Sequence, residues 1–484
     1  MLFLLFGSLL IFLIIVILFR TVGFSRQFGE SRQHLTDDVN IDEAAGRLSK
    51  AIRYQTVSNQ DLGDINEVAF ADMHRFLEKA FPKIHNQLEK EVVNDYSLLY
   101  TWKGSDPDLK PVMLTSHLDV VPVEPGTEEE WSHPPFDGVI SGGYIWGRGA
   151  MDVQGGVLGI LEAIEWLLDS GFRPQRTIIL GFGHDEEIDG HRGASEIGKL
   201  LKQRGVSLEY LLDEGTPIVH NMLPELQDPV ALVAVAEKGY LSLELTAKSE
   251  GGHSSVPQGL TSIARLGKAL HKLESNPIKG GVDGLVQRTM EAIGPHMSIP
   301  YRVVMANLWL FGSLVKRELS RMPATKAALT TTVATTIFES GIKENVLPTQ
   351  ARAIVNFRIH PNDTLQSVID YVKKTVDDPD IEIRLLEGAI NPSHVSDVNQ
   401  PAYQALKRSI LEVFPEVVVA PTLMIGATDA RHYSELSDNI FRFIPLRAVE
   451  SDLDRVHGTD ERISQKNYHE MISFYTRLLK NTTA

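Results

Sequence analysis

The 484-residue chain contains no cysteine. That absence removes a disulfide framework, thiolate metal sites and cysteine nucleophiles together, so any metal must sit on histidine, aspartate and glutamate. Basic runs are missing too: 47 Lys+Arg stand against 63 Asp+Glu, a formal charge of −16. Phosphate backbones are bound through clustered Lys and Arg, so this balance argues against nucleic acid as a partner. There is no internal repeat or low-complexity tract, and a composition of 43% hydrophobic and 23% charged residues excludes disordered, fibrous or collagen-like classes. The length leaves room for roughly three domain-sized units, or two of which one is discontinuous.

One long apolar run is present. Residues 1–19 carry no charge and stop at Arg20. Residues 1–23 read as a secretory signal, with Thr21-Val22-Gly23 offering small residues for cleavage. An uncleaved membrane anchor is the alternative, because at about 1.5 Å per residue the helix nearly spans a hydrocarbon layer. Arg20, Arg26 and Arg32 complicate an anchor with the body outside. Either reading sends the body into the secretory pathway, and two sequons, Asn362-Asp363-Thr364 and Asn481-Thr482-Thr483, permit glycosylation there. Residues 24–40 are polar and read as a linker.

Past the linker, apolar spacing predicts helices near 41–52 and 65–81. Apolar runs then end repeatedly in acids or histidine. Residues 111–115 run into Ser116-His117-Leu118-Asp119, 176–180 into His184-Asp185-Glu186-Glu187, and 208–212 into Asp213-Glu214-Gly215, with a helix at 155–168 between the first two. Strands alternating with helices imply a mostly parallel α/β sheet, whose ligands bind past the carboxyl ends of its strands. The texture changes at residue 236, where alternating strands at 240–246, 351–359 and 381–386 and helices at 262–273 and 365–376 predict a smaller inserted α+β domain. The divisions are thus 41–235 and 389–484 for a catalytic domain in two parts, and 236–388 for the insertion. Residues 303–315, apolar except for Asn307, Gly312 and Ser313, are expected to receive an acyl chain or dock on a lipid surface; ordinary core of the insertion is the competing reading.

The polar clusters carry the chemistry. His117 and Asp119, two apart at a strand end, can point to one side, and a metal-bound imidazole usually donates its other N–H to a carboxylate, a role for which Asp119 is placed. Taken alone, such a pair is more commonly a loop hydrogen bond. Gly147-Arg148-Gly149-Ala150-Met151-Asp152 is a flexed loop delivering a carboxylate before a helix, for which an N-cap is the bland alternative. Glu186 and Glu187 place two like charges together, which calls for a cation or a protonated carboxyl suited to a general base. Asp213 ends a third apolar strand and needs a partner if buried. Four such clusters at successive strand ends of one sheet are hard to read as solvated loops. Imidazole and carboxylate without sulfur suit Zn²⁺, Mn²⁺ or Co²⁺, and a pair of such ions activates water for amide or ester hydrolysis.

In this order, S-H-L-D-V-V-P, G-R-G-A-M-D, H-D-E-E, L-D-E-G, G-G-H-S-S and a late V-H-G resemble the di-zinc aminoacylase, carboxypeptidase S and glutamate carboxypeptidase family over about residues 45–475. Within it the resemblance is strongest to members acting on N-fatty-acyl amino acids, through F-R-I-H-P and V-F-P-E-V as well. The resemblance implies a mostly parallel α/β sheet flanked by helices, with a ferredoxin-like inserted domain serving as lid and dimer interface. It further implies that Asp152 bridges two zinc ions, with His117 and Asp213 completing one and Glu187 and His457 the other. Glu186 would be the general base and Asp119 the residue orienting His117. His253 would reach a neighbouring chain's site to polarise the scissile carbonyl, Asn345 and Arg358 would hold the substrate's carbonyl and carboxylate, and Thr428 lies in a segment matching a carboxylate-binding loop. One departure concerns Gln154, where the family often carries lysine. The implied reaction hydrolyses, and reversibly condenses, N-fatty-acyl amino acids, fatty acid and free amino acid being the other ligands. A carboxypeptidase or dipeptidase is the runner-up, and a catalytically dead carrier would require a lost ligand.

Overall fold

The computed structural model describes residues 2–25, 34–59, 65–222, 226–257, 259–282 and 284–484; residues 26–33 of the expected linker, with Arg26 and Arg32, lie outside them. An apolar helix α1 (Leu2–Ser25) comes first, then α2 (Ile41–Ala51), α3 (Glu67–Ala80) and α4 (Pro82–Gln87). Strands β1 (Glu89–Val93), β2 (Ser97–Trp102) and β3 (Val112–His117) follow, with the short pair β4 (Ile140–Ser141) and β5 (Tyr144–Trp146) leading to helix α5 (Gln154–Asp169). Next come β6 (Ile178–Gly183), α6 (Ala194–Gln203), β7 (Tyr210–Val219) and β8 (Val230–Glu237). After the insertion the chain returns through α13 (Pro401–Val413), β15 (Val418–Met424), β16 (Ile440–Ala448), α14 (Glu450–Leu453), β17 (Arg462–Ser464) and α15 (Gln465–Thr483).

Eight strands form the large sheet in the order β1-β2-β6-β3-β7-β16-β8-β15. The centre β6-β3-β7-β16 and the pair β8-β15 are parallel, while β1, β2 and the β16–β8 junction are antiparallel. Side chains alternate across this sheet: Val112 and Leu114 enter the core under α5 and α15, and Met113 enters the opposite core with Ile197 and Tyr433. Residues 34–40 are no free linker. Leu35 N–H donates to the Glu412 carbonyl at 2.7 Å, and buried Asp37 accepts Arg477 at 3.0 Å and Lys480 at 3.2 Å. A lone buried carboxylate needs such partners, which a polar composition does not reveal.

The insertion builds an antiparallel sheet in the order β11-β13-β9-β14, with β9 Gly239–Lys248, β11 Thr332–Ser340, β13 Gln350–Ile359 and β14 Ile381–Leu385. A two-stranded ladder, β10 (Gly252–His253) with β12 (Val346–Leu347), extends it. Leu241, Leu243, Val355 and Phe357 pack beneath α7 (Ser262–Ser275) and α12 (Leu365–Val376). Four further helices, α8 (Gly284–Ile293), α9 (Ile299–Ala306), α10 (Leu308–Leu319) and α11 (Pro323–Leu329), interrupt it. Expected inside the 236–388 unit, α8–α10 instead pack on the large sheet. Met290, Met305 and Val315 share a core with Val418 and Ala420 of β15, and Thr289 Oγ1 donates to the Pro421 carbonyl at 2.6 Å. The apolar stretch 303–315 therefore belongs to α9 and α10, away from the lid sheet. The edge strand β15 would otherwise expose its apolar side chains, which explains the attachment.

Candidate metal centre

The carboxyl ends of β3 and β6 converge with the middle of β7, and each delivers its polar cluster to one place. His117 is the last residue of β3 and is buried. Its Nδ1 lies 2.9 Å from the Asp119 carbonyl oxygen. A carbonyl only accepts, so Nδ1 carries the proton and Nε2 is aimed at the carboxylates. The Asp119 carboxylate is farther from the ring, at 3.4 Å. Its oxygens accept Ser58 Oγ at 2.7 Å and the backbone N–H groups of Glu186 and Glu187 at 3.1 and 3.2 Å. Asp119 thus orients His117 through its backbone, while its side chain ties the end of β3 to the turn after β6.

Asp152 comes from the loop ahead of α5. Its Oδ1 lies 3.2 Å from His117 Nε2 and its Oδ2 lies 3.1 Å from His457 Nε2. Glu187 Oε2 is 3.1 Å from the same His457 nitrogen, and Glu214 Oε1 is 3.2 Å from His117 Nε2, with Glu186 Oε2 at 3.9 Å. Two sets of side chains therefore close on common points, His117 with Glu186 and Glu214, and His117 with Asp152 and Glu187. His457 has φ +62°, and Gly458 follows where a Cβ would come within 2.2 Å of the Asp454 carbonyl oxygen. That close approach is why the motif is V-H-G.

Glu214, not the expected Asp213, joins the cluster. β7 does not stop at Asp213 but runs to Val219, so the two adjacent side chains project to opposite faces. Asp213 accepts the N–H of Glu214 at 2.8 Å and of Ala430 at 2.7 Å on the other side.

The loop bearing Asp152 is held by Glu461, a residue no motif marks. One Glu461 oxygen accepts Met151 N–H at 2.7 Å and Asp152 N–H at 3.0 Å; the other accepts Gly149 N–H at 3.0 Å and Arg148 Nη1 at 2.8 Å. Gly149 takes φ +88°, a left-handed backbone that favours glycine. Arg148 Nη2 also donates to the His457 and Gly458 carbonyls at 3.2 and 3.0 Å, joining both loops. Gln154 is buried in the first turn of α5 and donates to Thr56 Oγ1 at 3.0 Å.

The charges do not balance without cations. Four carboxylates, Asp152, Glu186, Glu187 and Glu214, face two imidazoles. Burial, followed by the neighbouring acids, pushes the Glu186 carboxyl well above its ordinary range and Glu214 up to about 7. Asp152 is held low by His117 and His457 in spite of its burial. Asp152 and Glu187 raise His457 to about 10. Buried Glu187 Oε1 has no hydrogen-bond partner among the described residues. An unpartnered carboxylate oxygen beside further N and O donors, with no sulfur, fits a site for divalent metal.

The family model described as "Peptidase family M20/M25/M40" matches residues 113–481. The chain belongs to this family. Among M20 relatives, a probable carboxypeptidase S-like 2 of Dictyostelium discoideum is 41% identical over 98% of this chain and 93% of its own length. The N-fatty-acyl-amino acid synthase/hydrolase of Mus musculus is 41% identical over 94% of this chain and 89% of its own. An M20 metallo-carboxypeptidase from Sulfolobus solfataricus shares the fold, with TM-score 0.65 at 20% identity over 91% of this chain and 99% of that one.

The other expected site residues lie apart. Thr428 is buried, its hydroxyl donating to Glu237 Oε2 at 3.2 Å. Arg358 lies over the Tyr240 ring at 5.0 Å, at the root of the lid. His253 and Asn345 are exposed at the opposite end, where Ser254 N–H donates to the Asn345 carbonyl at 3.2 Å. The β9 ladder between the two ends runs from Gly239 to Lys248, about 30 Å at roughly 3.3 Å per residue.

Proposed function

We propose that the chain is an N-fatty-acyl-amino acid amidohydrolase that also catalyses the reverse condensation. The observation that carries the hydrolytic reading is the Asp152 carboxylate held between His117 and His457 with Glu186 beside them. The acyl amino acid substrate class comes from the 41% identity to the mouse synthase/hydrolase. His117, Asp152, Glu187, Glu214 and His457 would hold two divalent ions, Zn²⁺ with Mn²⁺ or Co²⁺ as substitutes. When bound, such ions supply Lewis acidity and neutralise the carboxylates.

The protein's own part follows from Glu186. Its carboxylate takes a proton from water as the water oxygen adds to the amide carbon, and returns it to the nitrogen as the C–N bond breaks. Fatty acid and free amino acid leave, and the same proton transfers reversed make the amide.

Arg358 at the lid root is suited to the substrate carboxylate. His253 and Asn345, about 30 Å along the lid by strand rise, would serve the site of a second copy, joined through the lid's edge strand β11 with its exposed Ile337 and Phe338. Entry into the secretory pathway through α1 is part of the same reading. There Asn362 is the accessible sequon, since the Asn481 amide donates to Ser409 Oγ and Glu412 Oε2 at 2.9 Å each.

The identity to the carboxypeptidase S-like relative favours peptide hydrolysis as the second reading. Turnover of N-oleoyl-phenylalanine and of a dipeptide separates the two. Preference for the dipeptide would sink the acyl amino acid assignment.

A further inference from the structure

Helices α9 and α10 bury one face on the large sheet and leave another uncovered. Ile299, Trp309, Leu310, Leu314 and Met322 are 71, 57, 42, 43 and 51% exposed. So many large apolar side chains on one short segment mark an interaction surface. Residues 299–329 also hold five basic side chains against one acid, Arg302, Lys316, Arg317, Arg321 and Lys326 against Glu318 (5 − 1 = +4), in a chain of formal charge −16.

The N-terminal helix ends on this same segment. Arg20 Nε donates to the Ala306 carbonyl at 3.1 Å, and Phe24 packs with Met305. The fully buried Asn307 donates its amide to the Val303 carbonyl at 2.9 Å, to Thr21 Oγ1 at 3.4 Å and to the Ile17 carbonyl at 3.5 Å. Trp309 Nε1 in turn donates to Asn307 Oδ1 at 3.3 Å. Cleavage after Gly23 would strip this buried amide of two acceptors, the Ile17 carbonyl and Thr21 Oγ1. The junction occupies the last turns, from Ile17 on, of an apolar helix whose 20-residue span Leu5–Phe24 has almost nothing buried and is about 30 Å long in all.

We propose that the chain retains α1 as a membrane anchor, in place of a cleaved signal, and rests on a phospholipid bilayer through the exposed face of α9 and α10. Trp309 and Tyr301 lie at the level of the headgroups, where amphipathic rings are favoured. Arg317 and Arg321, both largely exposed, would meet the phosphate groups of the lipid headgroups. A second copy of the chain would not call for that excess of positive charge beside a 20-residue apolar helix. The inference concerns where the chain sits and is independent of which amide it cleaves.

The test uses the full chain with a C-terminal tag, purified in detergent and reconstituted into vesicles of phosphatidylcholine and phosphatidylglycerol, with and without brominated acyl chains. Intact mass is expected to start at the first residues of α1. Brominated lipid is expected to quench tryptophan emission, and Trp309→Phe, a conservative change, to remove most of that quenching although α1 still anchors the chain. Arg317→Glu with Arg321→Glu is expected to reduce the quenching in vesicles containing phosphatidylglycerol. A mature chain beginning after Gly23 overturns the retained anchor. Quenching indifferent to Trp309→Phe, or a dimer in which Trp309 is shielded from lipid, overturns the docking face.

Discussion

Glu461 fastens Asp152: one buried carboxylate oxygen accepts the N–H groups of Met151 and Asp152 together, while the other is paired with Arg148. Glu461→Gln places an N–H₂ against one of these donors. Metal affinity is expected to fall about 10–100-fold, as for other residues that orient metal ligands, measured by titration of the apo-protein. Glu461→Ala leaves buried Arg148 without its counter-ion and should cost about 3–5 kcal/mol of stability. Unchanged metal affinity in the glutamine variant would refute the role.

Glu214→Gln and Asp213→Asn separate two adjacent acids. The first is expected to lower bound metal to about one ion per chain, because Glu214 faces His117. The second should leave metal content near two and act on stability through Ala430 N–H. Elemental analysis of the purified variants decides, and a reversed result would restore Asp213 as the ligand.

Glu186→Gln is expected to lower kcat by about 10²–10⁴-fold, the usual share of a general base, with metal content unchanged. Retention of full turnover would exclude Glu186 from proton transfer.

Lys238 stands between the large sheet and the lid, its Nζ donating to the Thr330 carbonyl at 2.9 Å. Burial, then the nearby Arg358, lowers it to about 8 from 10.5. The unfolded chain therefore binds more protons than the folded one between about pH 8 and 10.5, so the penalty that burying this charge places on folding is relieved, and stability rises, as pH goes up through that window. Lys238→Met is expected to flatten that part of the stability–pH profile. A profile that keeps its slope in the variant would assign it to another group.

His253 lies far from its own chain's cluster, so chains should complement one another. Co-expressing His253→Ala with Glu186→Gln is expected to recover activity that neither has alone, because a mixed pair contains one site with Glu186 and a partner's His253. Failure of mixed dimers to recover turnover would show that His253 does not act across chains.

Much of this centre was legible because its residues stand at strand ends, where apolar runs stop and acids or histidine begin. His117, Glu186 and Glu187 are picked out that way, Asp152 by its glycine-flexed loop ahead of a helix and His457 by the family resemblance, and the structure brings them together. Between Asp213 and Glu214 the strand period of two offers no choice until the strand's true end and its facing neighbours are known. Glu461 gave no signal, since an acid in a polar stretch acquires meaning only when backbone donors 309 or more residues away in sequence close around it.

The helices at 284–329 and the segment 34–40 make the same point about packing. Their apolar and polar spacing predicted local character, but which surface each covers depends on edges and buried charges formed by distant residues. The sequence by itself determined the alternation of strands and helices, the sulfur-free donor set and the span of α1, because these follow from residue type and period. Only the tertiary structure decided which acid faces the histidines, what holds the Asp152 loop, and where α1 meets the body, because each depends on the direction of a side chain and on partners far away in the chain.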